Sequence, residues 1–138
     1  MREPQREDAG DLTDLLSQLG YPASQSELER RLEAIDHLPD DLVLVVEAAG
    51  ELVAVASLHI GQLFHLDGRW GRITSVVVRE EWRHQGIGRQ LLGNVEEMAR
   101  ARGCVLLGVT SGDWREDAHE FYRRMGYEEA GRQFLKRV

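Results

Sequence analysis

The chain has 138 residues, 42% of them hydrophobic and 30% charged, which is ordinary for a folded domain and unlike a disordered chain. Its 17 basic and 24 acidic residues leave a formal charge of −7, which argues against a nonspecific nucleic-acid binder because such proteins need many cations to neutralise phosphates. No apolar run approaches the roughly 20 residues of a membrane span, residues 1–10 are too polar for a secretory signal, and the single cysteine, Cys104, cannot close an internal disulfide, so the expectation is one domain over residues 1–138 in a reducing cytoplasm, away from membranes.

Leu12, Leu15, Leu16 and Leu19 repeat at the helical period and predict a helix over Asp8–Leu19, ended by Gly20 and Pro22. Ser24 and Glu27 have capping-box spacing and open a second helix, buried through Leu28, Leu32 and Ile35. Leu42–Ala48 is aliphatic and β-branched and reads as a buried strand. Ala49-Gly50-Glu51 turns into a second strand over Leu52–Phe64, Asp67-Gly68 is another turn signal, and Arg72–Arg79 is a third strand. These three predict an antiparallel meander.

Arg83–Arg102 switches to helical period, with Ile87, Leu91, Leu92, Val95, Met98 and Ala99 on one face and Gly103 as the stop. Cys104–Thr110 is a further strand, made parallel to the third by the helical crossover. Ala118, Phe121, Tyr122 and Met125 mark a fourth helix ended by Gly126, and Tyr127–Val138 reads as a terminal strand or hairpin. The fold class is α/β, with a mixed, mostly antiparallel sheet and about four helices.

The charge is uneven. Residues 1–68 hold 4 Arg and 14 Asp+Glu, residues 69–102 hold 7 Arg and 4 Glu, and residues 103–138 hold 6 basic and 6 acidic residues, giving balances of −10, +3 and zero. A basic segment inside an acidic chain points to one small anionic ligand. That segment contains Arg83-His84-Gln85-Gly86-Ile87-Gly88-Arg89 between a strand and a helix. Glycines at 86 and 88 let a ligand approach the backbone. The first amides of a helix lack internal partners and carry partial positive charge, which suits a phosphate or pyrophosphate. Arg83, His84 and Arg89 can add charge-assisted contacts. The third glycine of a dinucleotide fingerprint and the Gly-Lys-Ser/Thr of a P-loop are both missing.

Arg83-His84-Gln85-Gly86-Ile87-Gly88 resembles the Arg/Gln-x-x-Gly-x-Gly/Ala signature of the GNAT N-acetyltransferase superfamily. Ala118, Tyr122 and Gly126-Tyr127 resemble the same family's Ala-x-x-x-Tyr-x-x-x-Gly-aromatic segment. The resemblance covers nearly the whole chain and implies a GNAT acyltransferase fold in which acetyl-CoA lies between two splayed parallel strands, here those ending at Val78 and Thr110. It implies that the backbone of Val76, Val77 and Val78 pairs with the pantetheine arm, and that the amides from His84 through Gln85, Gly86, Ile87 and Gly88 to Arg89 hold the pyrophosphate. An amine then attacks the thioester directly, and Tyr122 occupies the family's general-acid position; as a residue alone, Tyr122 is equally a core aromatic.

Arg115 stands where many members carry an Asn that contacts CoA, and is expected to reach the cofactor phosphates or to be solvated. Arg72 and Thr110 stand where members carry a Glu base, so no base carries over. Glu80, Glu81, His119, His59 and His65 are the open candidates, beside a water chain. Cys104 reads as a small core residue, Trp70, Trp82 and Trp114 flank turns near the cleft, and no metal-ligand spacing is present.

The resemblance implies an N-acetyltransferase acting on a small-molecule or peptide amine, with no metal, no nucleic acid and a possible homodimer through the terminal strands. A non-catalytic CoA-binding sensor and an unrelated nucleotide-binding domain are the alternatives. The acidic first segment borders the acceptor side in this family, which predicts a cationic acceptor.

Overall fold

Alternate residues of a strand point to opposite faces of its sheet, and both faces of this sheet are covered. The computed structural model describes residues 1–110, 116–131 and 133–138. These form helices α1 (Ala9–Leu19), α2 (Gln25–Asp36), α3 (Ile87–Ala101) and α4 (Glu116–Arg124), and strands β1 (Asp41–Ala48), β2 (Glu51–Gln62), β3 (Arg69–Val78) and β4 (Cys104–Val109). The sheet order is β1-β2-β3-β4, antiparallel except for the parallel β3–β4 pair.

Odd-numbered residues Val45, Val55 and Val77 pack against Leu12, Leu15, Leu19 and Leu28 of α1 and α2. On the other face Ala54, Ala56, Leu58, Ile60 and Ile73 pack against Leu91, Leu92, Val95 and Ala99 of α3. The turns are those the sequence signals. Gly20 ends α1 in the left-handed region at φ 99, and the Ser24 hydroxyl accepts from the Glu27 amide to open α2. Ala49 and Gly50 both take positive φ, as a tight two-residue hairpin turn requires.

Two expectations are corrected. Residues 83–86 are not helical: His84 and Gly86 take φ values of 65 and 82, which a right-handed helix cannot accommodate, so α3 begins at Ile87. The described residues of 127–138 form no strand. Gly126 and Gly131 both turn the chain through positive φ, and Phe134 and Leu135 remain exposed rather than pairing along β4.

Arg2 clamps the start of the chain to the sheet. Its backbone bridges Val45, and its guanidinium donates to both Asp8 oxygens at 2.7 and 3.0 Å. That hydrogen bond holds the Asp8 carboxyl below its usual range. A depressed carboxylate pKa stabilises the fold above the unfolded value near 3.9, and the gain is lost as pH falls through the folded value. Asp8→Asn is therefore expected to lower stability by about 1 kcal/mol at pH 7, and the deficit is expected to shrink below about pH 4, as denaturant unfolding at the two pH values will show. Leu91 is fully buried, and Leu91→Ala should cost about 2–5 kcal/mol in the same assay.

Candidate functional site

Among the described residues, β3 and β4 pair in parallel from Arg69↔Cys104 to Ile73↔Val109. β3 continues over Thr74–Val78, where β2 is its one partner strand among the described residues. An irregularity in β3 follows directly on the last described β3–β4 pair. The β2–β3 register passes from Leu58↔Ile73 to Ser57↔Ser75, so Thr74 is an extra residue on β3. Such a bulge bends its strand and increases the local twist. The Ser57 and Thr74 hydroxyls lie 2.6 Å apart across it.

Strand alternation decides which groups the open edge presents. The Arg79 amide donates to Val53 O at 2.7 Å, so Arg79, Val77 and Ser75 turn their backbone groups toward β2. Val76 and Val78 turn theirs to the open edge. The Val78 carbonyl there accepts from Arg83 Nε at 2.9 Å. Of the three valines expected to pair with a ligand, Val77 is thus committed to β2, and its side chain is buried against α1.

The loop from β3 to α3 is tied down by side chains distant in sequence. Arg79 donates to Leu52 O through Nε and an Nη, the Glu80 amide donates to Gln18 Oε1, and Trp82 Nε1 donates to Glu51 Oε1. His84 and Gly86 then reverse the chain. The helical ladder of α3 starts with the Gln90 amide on Gly86 O. No side chain caps Gly86, so the amides of Ile87, Gly88 and Arg89 lead the helix without acceptors among the described residues. This helix start abuts the open edge: a Cβ at Gly88 would lie 3.5 Å from Val78 Cγ2 and 3.5 Å from Phe121 Cζ of α4. Arg83, His84, Gln85 and Arg89 are exposed around it.

Tyr122 is half-buried on α4 beside Phe121 and Tyr127, with ring centroids 5.4 and 5.9 Å away. Its carbonyl accepts from the Tyr127 amide at 2.9 Å across Gly126, the arrangement that closes a helix on a left-handed residue. The Tyr127 hydroxyl donates to Glu96, and burial pushes its phenol well above the usual value. Arg115 and Trp114 lie outside the described residues. Cys104 packs on the α3 face, where burial pushes its thiol up, as suits an inert core residue.

The other face of the sheet carries a groove of about 260 Å³ between α1, α2 and the strands. Leu16, Leu28 and Leu32 make its apolar wall, and Asp41, Ser57 and Thr74 its polar one. Groove and open edge therefore meet at the bulge from opposite faces of the sheet. Sequence reasoning did not single out Ser57 or Thr74, because a bulge inside a β-branched run leaves no pattern to read. Among the base candidates, His59 is held by Asp41 at 2.9 Å, Glu80, Glu81 and His65 are exposed, and His119 is partly buried on α4.

An open strand edge meeting a helix start without a side-chain cap brings unpaired backbone groups and helix amides to one place, where a ligand can use both. The chain belongs to the acetyltransferase (GNAT) family, whose model matches residues 10–127. It is similar to an aminoalkylphosphonate N-acetyltransferase of Salmonella typhimurium, 43% identical over 89 residues, covering 63% of this chain and 56% of that protein. It is also similar to an amino-acid acetyltransferase of Pseudomonas fluorescens, 34% identical over 128 residues, covering 93% of this chain and 27% of that protein. The chain thus spans about half the length of the first relative and about a quarter of the second. The crystal structure of a GNAT family acetyltransferase from Staphylococcus aureus shares the fold with a TM-score of 0.83, at 24% identity, covering 99% of this chain and 96% of that one.

The two glycine environments make opposite predictions. Gly86 takes φ 82 with open space around it, so Gly86→Ala should cost about 1–2 kcal/mol of backbone strain. Gly93 lies inside α3 with nothing within 4 Å of a Cβ, so Gly93→Ala should stabilise by up to about 1 kcal/mol. Thermal unfolding of the two variants checks the pair.

Proposed function

We propose that this protein transfers the acetyl group of acetyl-CoA to the primary amine of a small molecule or peptide. The observation that carries the reading is the meeting of the open β3 edge with the uncapped start of α3, at Val78 and Gly88. Acetyl-CoA supplies the activated thioester. Val76 and Val78 offer backbone groups to its pantetheine arm as an added strand would. The amides of Ile87, Gly88 and Arg89, with the backbone of His84, Gln85 and Gly86, hold its pyrophosphate, and the Arg83 and Arg89 guanidiniums add charge.

A β3 amide at the open edge polarises the thioester carbonyl. The acceptor lies in the groove on the α1–α2 face, so its nitrogen meets the thioester beside Thr74. It arrives as an ammonium, favoured by the acidic surface of residues 1–68, and gives up its proton through water to solvent before attack. Tyr122, across the edge on α4, gives a proton to the departing thiolate as general acid and is reprotonated through water as the new amide nitrogen sheds its extra proton. The Salmonella and Pseudomonas relatives are named for aminoalkylphosphonates and amino acids, which are small primary amines of the size this groove takes.

A thiol-release assay over an amine panel tests the reading. Turnover is expected, and Tyr122→Phe should lower kcat by about 10²-fold with acetyl-CoA affinity unchanged. An unaltered rate in that variant would remove Tyr122 from the reaction. Tight CoA binding without turnover on any amine would replace the transferase with a binding module.

A further inference from the structure

We infer that Arg72 selects the acceptor by binding a carboxylate or phosphonate carried on the same molecule as the amine. This rests on the transferase reading of the groove and specifies what the groove takes.

Arg72 lies on the groove's face of the sheet. Its neighbours Gly71 and Ile73 turn the other way: a Cβ at Gly71 would strike the Leu107 and Leu58 side chains, and Ile73 is buried against α3. Strand pairing then sets a row across four strands, Asp41↔His59↔Arg72↔Gly108. The row ends on a residue with no side chain. Trp70 shares this face and lies over Gly108, its Nε1 3.2 Å from where a Cβ would be. Arg72 is thus bordered by His59 on one side and by the Trp70 indole on the other.

The charges around it are already matched. Asp41 holds His59 Nδ1 at 2.9 Å, Asp40 pairs with Arg69, and Arg31 pairs with Glu27. The Arg72 side chain is partly buried and has no hydrogen bond or ion pair among the described residues. A guanidinium has five donors in a planar fork that matches a carboxylate or phosphonate edge. Withdrawing it partly from water without a partner is unfavourable, and an incoming anion reverses that cost.

Position links this cation to the chemistry. Arg72 sits one residue before the last described β3–β4 pair, Ile73↔Val109. Thr74, where groove and open edge meet, is two residues on, roughly 6.6 Å of strand. An acid group on Arg72 therefore places an amine, carried on a short carbon chain, at the mouth of the splay. The acceptor is then a zwitterion: its ammonium suits the acidic surface, and its acid group suits the Arg72 guanidinium, which has no anionic partner among the described residues. The residue type matters for a second reason. A Glu at this position could serve as a base; an Arg cannot, so its contribution is recognition.

Calorimetry with CoA present tests this, using 2-aminoethylphosphonate, 3-aminopropionate, propylamine and 1,3-diaminopropane as probes. The two acidic amines should bind about 10- to 100-fold more tightly than the other two. Arg72→Gln should abolish that advantage while leaving propylamine affinity, acetyl-CoA affinity and melting temperature unchanged. Arg72→Lys, a point charge without the fork, should restore part of it. Equal affinity for all four probes in the unaltered protein, or a uniform loss across them in Arg72→Gln, overturns the inference. Arg72-dependent binding without acetyl transfer leaves the inference standing and overturns the transferase reading; transfer without an Arg72-dependent preference does the reverse.

Discussion

Among the described residues the pairing between β3 and β4 runs no further than Ile73↔Val109, and the site depends on an open edge beyond that pair. A continued ladder would bury the backbone groups of Val76 and Val78 in hydrogen bonds, leaving no edge for a ligand to join. An extra residue at Thr74 follows directly on that last pair, and a bulge of this kind bends its strand and increases the local twist. An unpaired strand edge normally invites aggregation. Here part of it is covered by the protein itself, through Arg83 on the Val78 carbonyl and through α4 behind Gly88.

A second constraint follows from the first. The helix that supplies anion-binding amides must start beside the open edge and point its first turn at it. The chain between Val78 and Ile87 achieves this with two left-handed residues, His84 and Gly86, each unfavourable alone when the side chain is not glycine. Bonds from Arg79, Glu80 and Trp82 to Leu52, Gln18 and Glu51 hold the loop against α1 and β2. Those partners come from the opening helix and the meander, so the two halves of the chain jointly position one short loop. The acidic segment is thereby more than a charge reservoir: Glu51 is spent on Trp82, Asp8 on Arg2 and Asp41 on His59.

Most of the architecture was legible because its signals are local. The leucine period of α1, the Ser24 cap, the Ala49-Gly50 turn and the strand–helix–strand crossover each rest on a few neighbouring residues. The helix start was read too early because Arg83-His84-Gln85 has nothing against helix in composition; only the backbone reversal at His84 excludes it. The terminal strand or hairpin expected over Tyr127–Val138 does not form among the described residues, and Phe134 and Leu135 stay exposed there. At the site, the family resemblance pointed to Val76, Val77 and Val78 but not to their alternation. That depends on register with β2, set by the bulge, which a run of β-branched residues conceals. Arg72 stood out in the sequence only as a mismatch at a base position. That its guanidinium meets no anion among the described residues is a property of the folded sheet.

Residue-resolved amide hydrogen exchange, measured by NMR with and without acetyl-CoA, tests most directly whether this edge and this helix start form one ligand site. The account predicts new protection at the amides of Val76, Val78, Ile87, Gly88 and Arg89, with Val77 already protected in the free protein and unchanged on binding. Protection appearing instead on the β4 edge or in the groove, with the Val76 and Val78 amides still exchanging freely, would contradict it.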